Sequence, residues 1–455
     1  MRIIILGATQ IGINIAEFLL IENNDITIVD KNELSLFQLQ DRLDLRVVIG
    51  YESRLEVLRE AGAEQADILI SATCSDEMNI VACQIAYSFF SIPKCIAVLK
   101  STDYIEIEDK IFPENQKYIN FFIHPEKMII KHLIDFIEYP GILKVIYLFN
   151  DTVVLSLLRI FDNSSLVGSS IVDIKNKISG IDFFIPIIIR DGIPFFSIHS
   201  TVFKLNDEFF ILCLSKHFLK LIKQLRNIKQ TSNKNIMLVG GGNIGFGIAR
   251  ILERKCNIKI LELNEKRAKM ISKRLEYSTV LLGNASDIRL FAEENIGKID
   301  IFISVTNNDD TNIISSIVAK KMGSKQSLAL VKNEFYSELI NFSKKVDEII
   351  FPQEIIMSEL LNRIRSSNII SLFLFHTGKM EVIEIIVREK NGSSLIIGTL
   401  LSQITLPPGV IIFAIIRYNN LIIFDHFDDI RIEEEDHIIM LCTNRISIKV
   451  IEKLF

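Results

Sequence analysis

The stretch NIMLVGGGNIG at residues 235–245 predicts the fold of the half of the chain that it begins. An apolar run leads into Gly240, Gly242 and Gly245, which have the spacing G-x-G-x-x-G, and a helical pattern follows. Glu262 ends the next apolar run, where a ribose-binding carboxylate is expected. In this pattern the glycines allow a tight turn, close approach of backbone N–H groups to a pyrophosphate, and close helix packing. The stretch therefore predicts a Rossmann-type dinucleotide site, and Glu262 favours NAD over NADP because it repels a 2′-phosphate.

The same pattern occurs a second time, nearer the start of the chain. RIIILGATQIG at 2–12 matches the quoted stretch, so that Gly12 corresponds to Gly245 at an offset of 233 residues. At the same offset, ADILISATCSDEMN at 66–79 matches IDIFISVTNNDDTN at 299–312. Ordered matches at one spacing indicate an internal duplication.

The repeat continues, more weakly, beyond each Rossmann-like half. LVGSSI near Gly168 resembles LIIGTLL near Gly398, and LNDEFFILC at 205–213 resembles EEEDHIIMLC at 433–442. The predicted fold class is therefore α/β: two tandem Rossmann-like domains with parallel sheets, each followed by a small α+β subdomain. The predicted domain ranges are 1–123, 139–226, 234–352 and 367–455, and the polar stretch 227–234 is predicted to link the two units.

Composition excludes several classes of protein. A formal net charge of -5 and a pI near 5.9 argue against a nucleic-acid partner. Six scattered cysteines without a C-x-x-C pair predict buried reduced thiols, with neither a metal site nor disulfides. The first strand begins at once, and no apolar run reaches about 18 residues, so we expect a cytosolic chain without a signal peptide or a membrane span.

The first copy of the glycine pattern departs from the second at one position. It reads Gly7, Ala8, Thr9, Gln10, Ile11 and Gly12, so that Thr9 stands where the middle glycine belongs. A β-branched residue resists positive φ, and its side chain would crowd a pyrophosphate. Because Asp30 is correctly placed, two interpretations stay open: retained nucleotide binding, or a structural remnant.

A polar cluster follows the fourth predicted strand of each unit. Its members are Thr73, Cys74, Asp76, Glu77 and Asn79, and Thr306, Asn307, Asp309, Asp310 and Asn312. Ligands of Rossmann folds bind at this carboxyl edge, so Thr73 and Thr306 are predicted to contact the nicotinamide ribose. For Asp76 and Asp309 we favour helix N-caps over ligand contacts.

At these residues the chain resembles the TrkA family, the regulatory subunits of bacterial Trk potassium uptake systems, which are built from tandem RCK (or KTN) modules. The stretches that carry the resemblance run over essentially the whole length. They are RIIILGA (2–8), ENNDITIVD (22–30), DLRVV (44–48), VLREAGA (57–63), NIMLVGGGNIG (235–245) and LPPG (406–409).

The resemblance implies regulation rather than catalysis. It implies RCK-N and RCK-C subdomains, NAD(H) as cofactor with ATP or ADP competing for the same sites, and a homo-oligomeric ring, expected to be a tetramer. It also implies a TrkH/TrkG-like membrane partner that the ring gates, and a peripheral location on the cytoplasmic face of the inner membrane. The implied nucleotide contacts are Gly7, Ala8, Thr9, Gln10, Ile11, Asp30, Thr73 and Cys74 in the first unit, and Gly240, Gly241, Gly242, Asn243, Ile244, Glu262, Asn284, Ala285, Thr306 and Asn307 in the second.

Two departures from the family pattern bear on these contacts. Val98 stands where the family usually has a phosphate-pairing arginine, which with Thr9 predicts weak binding at the first site. Asn284 replaces an acidic residue; its amide can still bond adenine but carries no charge.

The alternatives are an NAD-dependent oxidoreductase and a purely structural scaffold. Hydride transfer needs an acid or base beside the nicotinamide and a substrate pocket, whereas the seven histidines form no motif. A duplicated cofactor half without a substrate domain suits a sensor better, because two sites can bias one conformational equilibrium.

Overall fold

The computed structural model describes most of the chain. The described residues are 1–101, 104, 118–139, 142–149, 151–160, 166–178, 180–226, 234–333, 336, 346–364, 369–375, 380–388, 396–417, 420–423, 430–443, 450–451 and 454. All but the last residue of the predicted linker 227–234 lie outside them.

The first unit begins with a six-stranded parallel sheet. Its elements are β1 (Arg2–Leu6), α1 (Gln10–Ile21), β2 (Asp25–Asp30), α2 (Glu33–Gln40), β3 (Arg46–Ile49), α3 (Leu55–Glu60), β4 (Ile68–Ser71), α4 (Asp76–Phe90), β5 (Lys94–Val98) and β6 (Phe121–Ile123). The strand order is β3-β2-β1-β4-β5-β6. Successive strands are added on one side of β1 up to β3 and on its other side from β4, so the strand order reverses beside β1. The predicted Rossmann-like fold is confirmed, and ligands of such sheets bind at this reversal.

A six-stranded antiparallel sheet with flanking helices follows. After α5 (Pro125–Glu138) come β7 (Ile142–Leu148), β8 (Val153–Arg159), α6 (Ile171–Lys177), β9 (Phe183–Phe184), β10 (Ile187–Arg190), β11 (Ile193–Phe196), β12 (Glu208–Leu214) and α7 (Ser215–Arg226). The order is β11-β10-β12-β8-β7, with β9 paired to β12. This mixture of helices and antiparallel strands is the predicted α+β subdomain.

The second unit repeats this plan. Its parallel part contains β13 (Asn235–Val239), α8 (Asn243–Leu252), β14 (Asn257–Glu262), α9 (Glu265–Ser272), β15 (Thr279–Leu282), α10 (Ile288–Glu293), β16 (Ile301–Ser304), α11 (Asp309–Lys321), β17 (Gln326–Leu330) and β18 (Glu348–Ile350). After α12 (Pro352–Ile364) come β19 (Ile369–Phe375), β20 (Met380–Ile386), β21 (Val410–Arg417), β22 (Asn420–Ile423) and β23 (His437–Cys442). The parallel order β15-β14-β13-β16-β17-β18 matches that of the first unit strand for strand.

The two units exchange helices. The apolar face of α5 (Ile129, Leu133, Phe136 and Ile137) packs into the core of the second parallel sheet rather than the first. On α8, a side chain in place of Gly247 would collide with Ile130 of α5. Conversely, α12 packs against β6, where the guanidinium of Arg363 lies 4.7 Å from the ring centre of Phe121. Each parallel domain is therefore completed by a helix from the other half of the chain.

The two antiparallel sheets also contact each other. The rings of Phe210 and Phe375 meet edge to face at 5.2 Å, and Lys144 Nζ donates to Leu374 O at 2.7 Å. Glu384 is fully buried and accepts from the Phe149 N–H at 3.2 Å, while one of its oxygens lies 2.7 Å from His437 Nδ1. With the exchanged helices, these contacts join the two units into one body.

Candidate nucleotide sites

The glycine loop of the second unit has the geometry that the motif predicts. Gly240 adopts φ +104°, in the left-handed region that glycine favours, and its N–H donates to Leu261 O at 2.8 Å. A side chain in place of Gly245 would collide with the Gly240 carbonyl, so the close packing of α8 on this loop requires a glycine. A side chain in place of Gly242 would meet nothing within 4 Å. The space in front of Gly242, at the N-terminus of α8, is therefore open.

Both carboxylates expected at the ribose lie against their glycine loops. Glu262 accepts from the N–H groups of Gly241 at 2.7 Å and Asn264 at 2.8 Å. Asp30 does the same with Ala8 at 2.6 Å and Asn32 at 2.8 Å. Each carboxylate thus stands at the carboxyl end of its second strand, where it can accept a ribose hydroxyl.

The conformation of Thr9 contradicts the expected positive φ, whereas the place of its side chain supports the expected crowding of a pyrophosphate. The φ of Thr9 is -77°, and Gly242 has φ -63°, so this position requires no positive φ and the predicted backbone strain is wrong. The hydroxyl of Thr9 instead caps α1 by accepting from Gly12 N at 3.2 Å and donates to Ala72 O at 2.7 Å. The side chain therefore bridges the ends of β1 and β4 across the first crevice, at the position that Gly242 leaves open in the second.

The predicted capping role of Asp76 and Asp309 is wrong. Ser75 and Asn308 are the N-caps of α4 and α11. Asp76 is buried and accepts from the N–H groups of Lys100 at 3.0 Å and Ser101 at 2.7 Å. Asp309 holds the N–H groups of Lys332 and Asn333 in the same way, at 3.0 and 2.9 Å. The residue before each aspartate already caps the helix. The aspartate carboxylates instead hold the loop that follows the fifth strand of each parallel sheet.

The roles of two buried asparagines were missed. Asn79 Oδ1 accepts from the Thr73 hydroxyl at 2.7 Å and the Thr73 N–H at 2.9 Å, while its amide donates to Val98 O at 2.8 Å. Asn312 repeats this arrangement with Thr306 and Leu330. Each asparagine therefore ties the loop after the fourth strand to the fifth strand. The hydroxyls of Thr73 and Thr306 are already engaged there, so their contact with a ribose stays a prediction.

The remaining predicted contacts lie at the same edges of the two sheets. Gln10, Ile11, Asn243 and Ile244 begin α1 and α8. Cys74 and Asn307 lie in the loops after β4 and β16, and Cys74 is an exposed thiol, unlike the buried Cys83, Cys95, Cys213 and Cys442. The Val98 side chain is buried in the core, so it supplies nothing to a phosphate.

The second crevice also contains a cationic side chain that no sequence pattern predicted. Arg267, on α9, donates from Nε to the Gly241 carbonyl at 2.8 Å and lies 3.2 Å from Asn243 Oδ1. A guanidinium beside the glycine loop can pair with a phosphate. No motif spacing marks this arginine, because it is positioned by the first turn of α9 rather than by the loop.

Two nucleotide-type crevices on duplicated Rossmann domains define a tandem nucleotide-binding protein, and its relatives identify its family. The TrkA-N domain model matches residues 3–112 and 236–352. The Trk system potassium uptake protein TrkA of Vibrio alginolyticus is 36% identical over 455 residues, covering 100% of this chain and 98% of the relative, and the Haemophilus influenzae protein of that name is 35% identical with the same coverage. The chain belongs to the TrkA family of Trk system potassium uptake proteins, not to the dehydrogenases.

Solved structures support the fold. The GsuK RCK domain aligns with a TM-score of 0.65 at 18% identity, covering 100% of this chain and 94% of that one. The GsuK channel bound to NAD aligns with the same score and identity, covering 100% of this chain and 78% of that one. The tandem RCK architecture is thereby confirmed. In the described part of the chain, no helix is both long and apolar enough to cross a membrane.

Proposed function

We propose that this chain is the nucleotide-reading regulatory subunit of a Trk-type potassium uptake system. In this proposal it binds NAD(H) or an adenine nucleotide in its crevices and gates a TrkH/TrkG-like membrane subunit from the cytoplasmic side. The observation that carries the proposal is the open space in front of Gly242, at a helix N-terminus with Glu262 and Arg267 beside it. The NAD-bound GsuK channel, with the same fold, supports the choice of ligand.

The exchanged helices supply a route from ligand to shape. Because α5 packs in the second parallel domain and α12 against the first, a change in either crevice acts on both halves of the chain. In allosteric proteins, ligands shift such an equilibrium by about 1–3 kcal/mol of coupling per site. That is enough to change the population of a gating state several-fold.

Ring assembly is part of the proposal. The outer face of α4 exposes Val81 and Phe89, which are 46% and 67% exposed, and α11 exposes Ile314 at the position equivalent to Val81. Exposed apolar side chains at equivalent places in the two units suit repeated contacts between copies of one chain.

The test is calorimetric titration with NADH, NAD, ATP and NADPH. The chain contains no Trp, so Gly242→Trp both fills the second crevice and adds a single tryptophan, and Tyr277→Trp, on an exposed residue, is its matched control. We expect Gly242→Trp to lose one class of sites and the control to keep it. In vesicles containing the membrane subunit, potassium flux should lose its nucleotide response with Gly242→Trp only. An unchanged response would contradict the assignment of this crevice as the sensor.

A further inference from the structure

The turn that follows the third parallel strand differs chemically between the two units. The N–H of Arg54 donates to Tyr51 O at 3.0 Å, and the N–H of Asp287 donates to Asn284 O at the same distance. Just before these turns, the N–H of Gly50 donates to Asp30 O at 3.0 Å, and the N–H of Gly283 donates to Glu262 O at the same distance. The turns therefore have the same geometry, and Glu52 occupies the position of Ala285.

Glu52 is a buried acid beside another acid. It is only 5% exposed. Burial is the main cause that raises its pKa, and Asp30 raises the pKa further, while Lys31 and the Glu52 N–H oppose the shift. Burying a carboxyl group is costly unless donors satisfy it. A ligand that brings a hydrogen-bond donor would offset that cost.

Tyr51 supplies the second feature of this turn. Tyr51 is 49% exposed, and the Arg54 guanidinium and the Lys31 ammonium lie over its ring, 5.0 Å and 6.0 Å from the ring centre. A nucleobase can stack on a partly exposed aromatic ring or on an arginine plane beside it. In Rossmann folds the adenosine half of a ligand lies at the carboxyl ends of the second and third strands, next to this turn.

We propose that Glu52 selects the base of the nucleotide in the first crevice by accepting a hydrogen bond from the exocyclic amino group of adenine, with Tyr51 as its stacking face. Adenine carries this donor at C6, whereas hypoxanthine and guanine carry a carbonyl oxygen there, which a carboxylate repels. The inference rests on the proposed function, because it requires a nucleotide in the first crevice.

The second crevice lacks this selection. Ala285 has no hydrogen-bonding side chain, and Asn284 Oδ1 already accepts from Ser286 N at 2.9 Å. An amide presents a donor as well as an acceptor, so it tolerates either substituent at C6. We therefore expect base selection in the first unit only.

The experiment compares ATP, ITP and GTP by calorimetry on full-length Gly242→Trp, in which the first crevice is the free one. ATP should bind at least about tenfold more tightly than ITP or GTP, since an unmet donor or acceptor costs about 1–3 kcal/mol. Adding Glu52→Ala should abolish the difference, and Glu52→Gln should also reduce it, because an amide can accept from the adenine amino group or donate to a C6 carbonyl. The reciprocal Ala285→Glu, in a Thr9→Trp background that fills the first crevice, should create the preference in the second.

The outcomes separate the inference from the proposed function. Equal binding of ATP and ITP, a preference for GTP, or a preference that survives Glu52→Ala would overturn the role of Glu52 alone. Failure of every nucleotide to bind Gly242→Trp would overturn nucleotide sensing by the first unit. Removing a buried acid should leave the thermal midpoint equal or higher, so unfolding scans show that lost selectivity is not lost folding.

Discussion

At the scale of single residues, Thr9 is a chemical difference between the two crevices, because Gly242 occupies the equivalent position in the second. The Thr9 hydroxyl spans from the end of β1 to the Ala72 carbonyl, where Gly242 leaves open space. Thr9→Gly should therefore strengthen NAD(H) binding at the first site by about tenfold, because the pyrophosphate no longer displaces a hydrogen bond. Calorimetry in the Gly242→Trp background measures this site alone.

Thr9→Ser is the control for that prediction. Serine keeps both the bridge and the cap of α1, so its affinity should stay close to that of the parent. Glycine at an N-cap costs only a few tenths of a kcal/mol, so Thr9→Gly should unfold at nearly the parent temperature. Equal affinities for the glycine and serine variants would show that the bridge does not limit binding.

How far a residue's role follows from sequence depends on whether a spacing encodes it. The glycines and the carboxylates Asp30 and Glu262 were predictable, because strand, turn and helix lengths fix their positions. The extended backbone of Thr9 was not, because the motif states which residue stands there and not its φ. Glu52 had no signature at all, because its burial and the effect of the Asp30 charge in raising its pKa arise only when β2 and β3 pair.

At the scale of elements, the exchange of α5 and α12 has a direct consequence. Leu133 belongs by sequence to the first unit but is fully buried in the core of the second parallel sheet. Leu133→Ala should lower the free energy of unfolding by about 2–5 kcal/mol. Hydrogen exchange should show the loss of protection in β13 and β16 rather than in β1 and β4. Loss confined to β1 and β4 would contradict the exchange.

The exposed Lys131→Ala on the same helix is the control and should leave both sheets protected. The exchange itself was outside the reach of sequence reasoning. The apolar spacing of α5 predicts a helix with one buried face, but it carries no information about which of two similar sheets covers that face. The duplication makes the two choices chemically alike, so contacts such as Gly247 with Ile130 decide between them.

At the scale of the whole molecule, a histidine near the junction of the units makes stability depend on pH. Burial, reinforced by Lys144, lowers the pKa of His132 from 6.5 to about 4. Between these values the unfolded chain binds more protons than the folded one, so stability falls as pH drops from about 6.5 to about 4. The loss attributable to this group is at most about 3–4 kcal/mol, at about 1.36 kcal/mol for each unit of the pKa difference.

His132→Gln should reduce that acid sensitivity, because the amide does not titrate. Urea unfolding at pH 7.5 and at pH 5 gives the two free energies for each protein. We expect the free energy of unfolding to change less between the two pH values in the variant than in the parent. His199→Gln, at an exposed residue, is the control and should behave like the parent. An identical difference in parent and His132→Gln would place the acid sensitivity elsewhere.

The proposed assembly is the property in which the duplication matters most, because each chain exposes apolar side chains at equivalent places in its two units. Val81 on α4 and Ile314 on α11 lie on outer helix faces and are about half exposed, at 46% and 58%. A carboxylate buried in a contact between copies is strongly disfavoured, so Val81→Glu or Ile314→Glu should reduce the mass measured by light scattering, and the double variant should reduce it furthest. The exposed Glu56→Gln, on α3, is the control and should keep the parent mass. An unchanged mass in the double variant would mean that the copies meet through other surfaces, and the proposed coupling between nucleotide and membrane partner would then have to cross those surfaces instead.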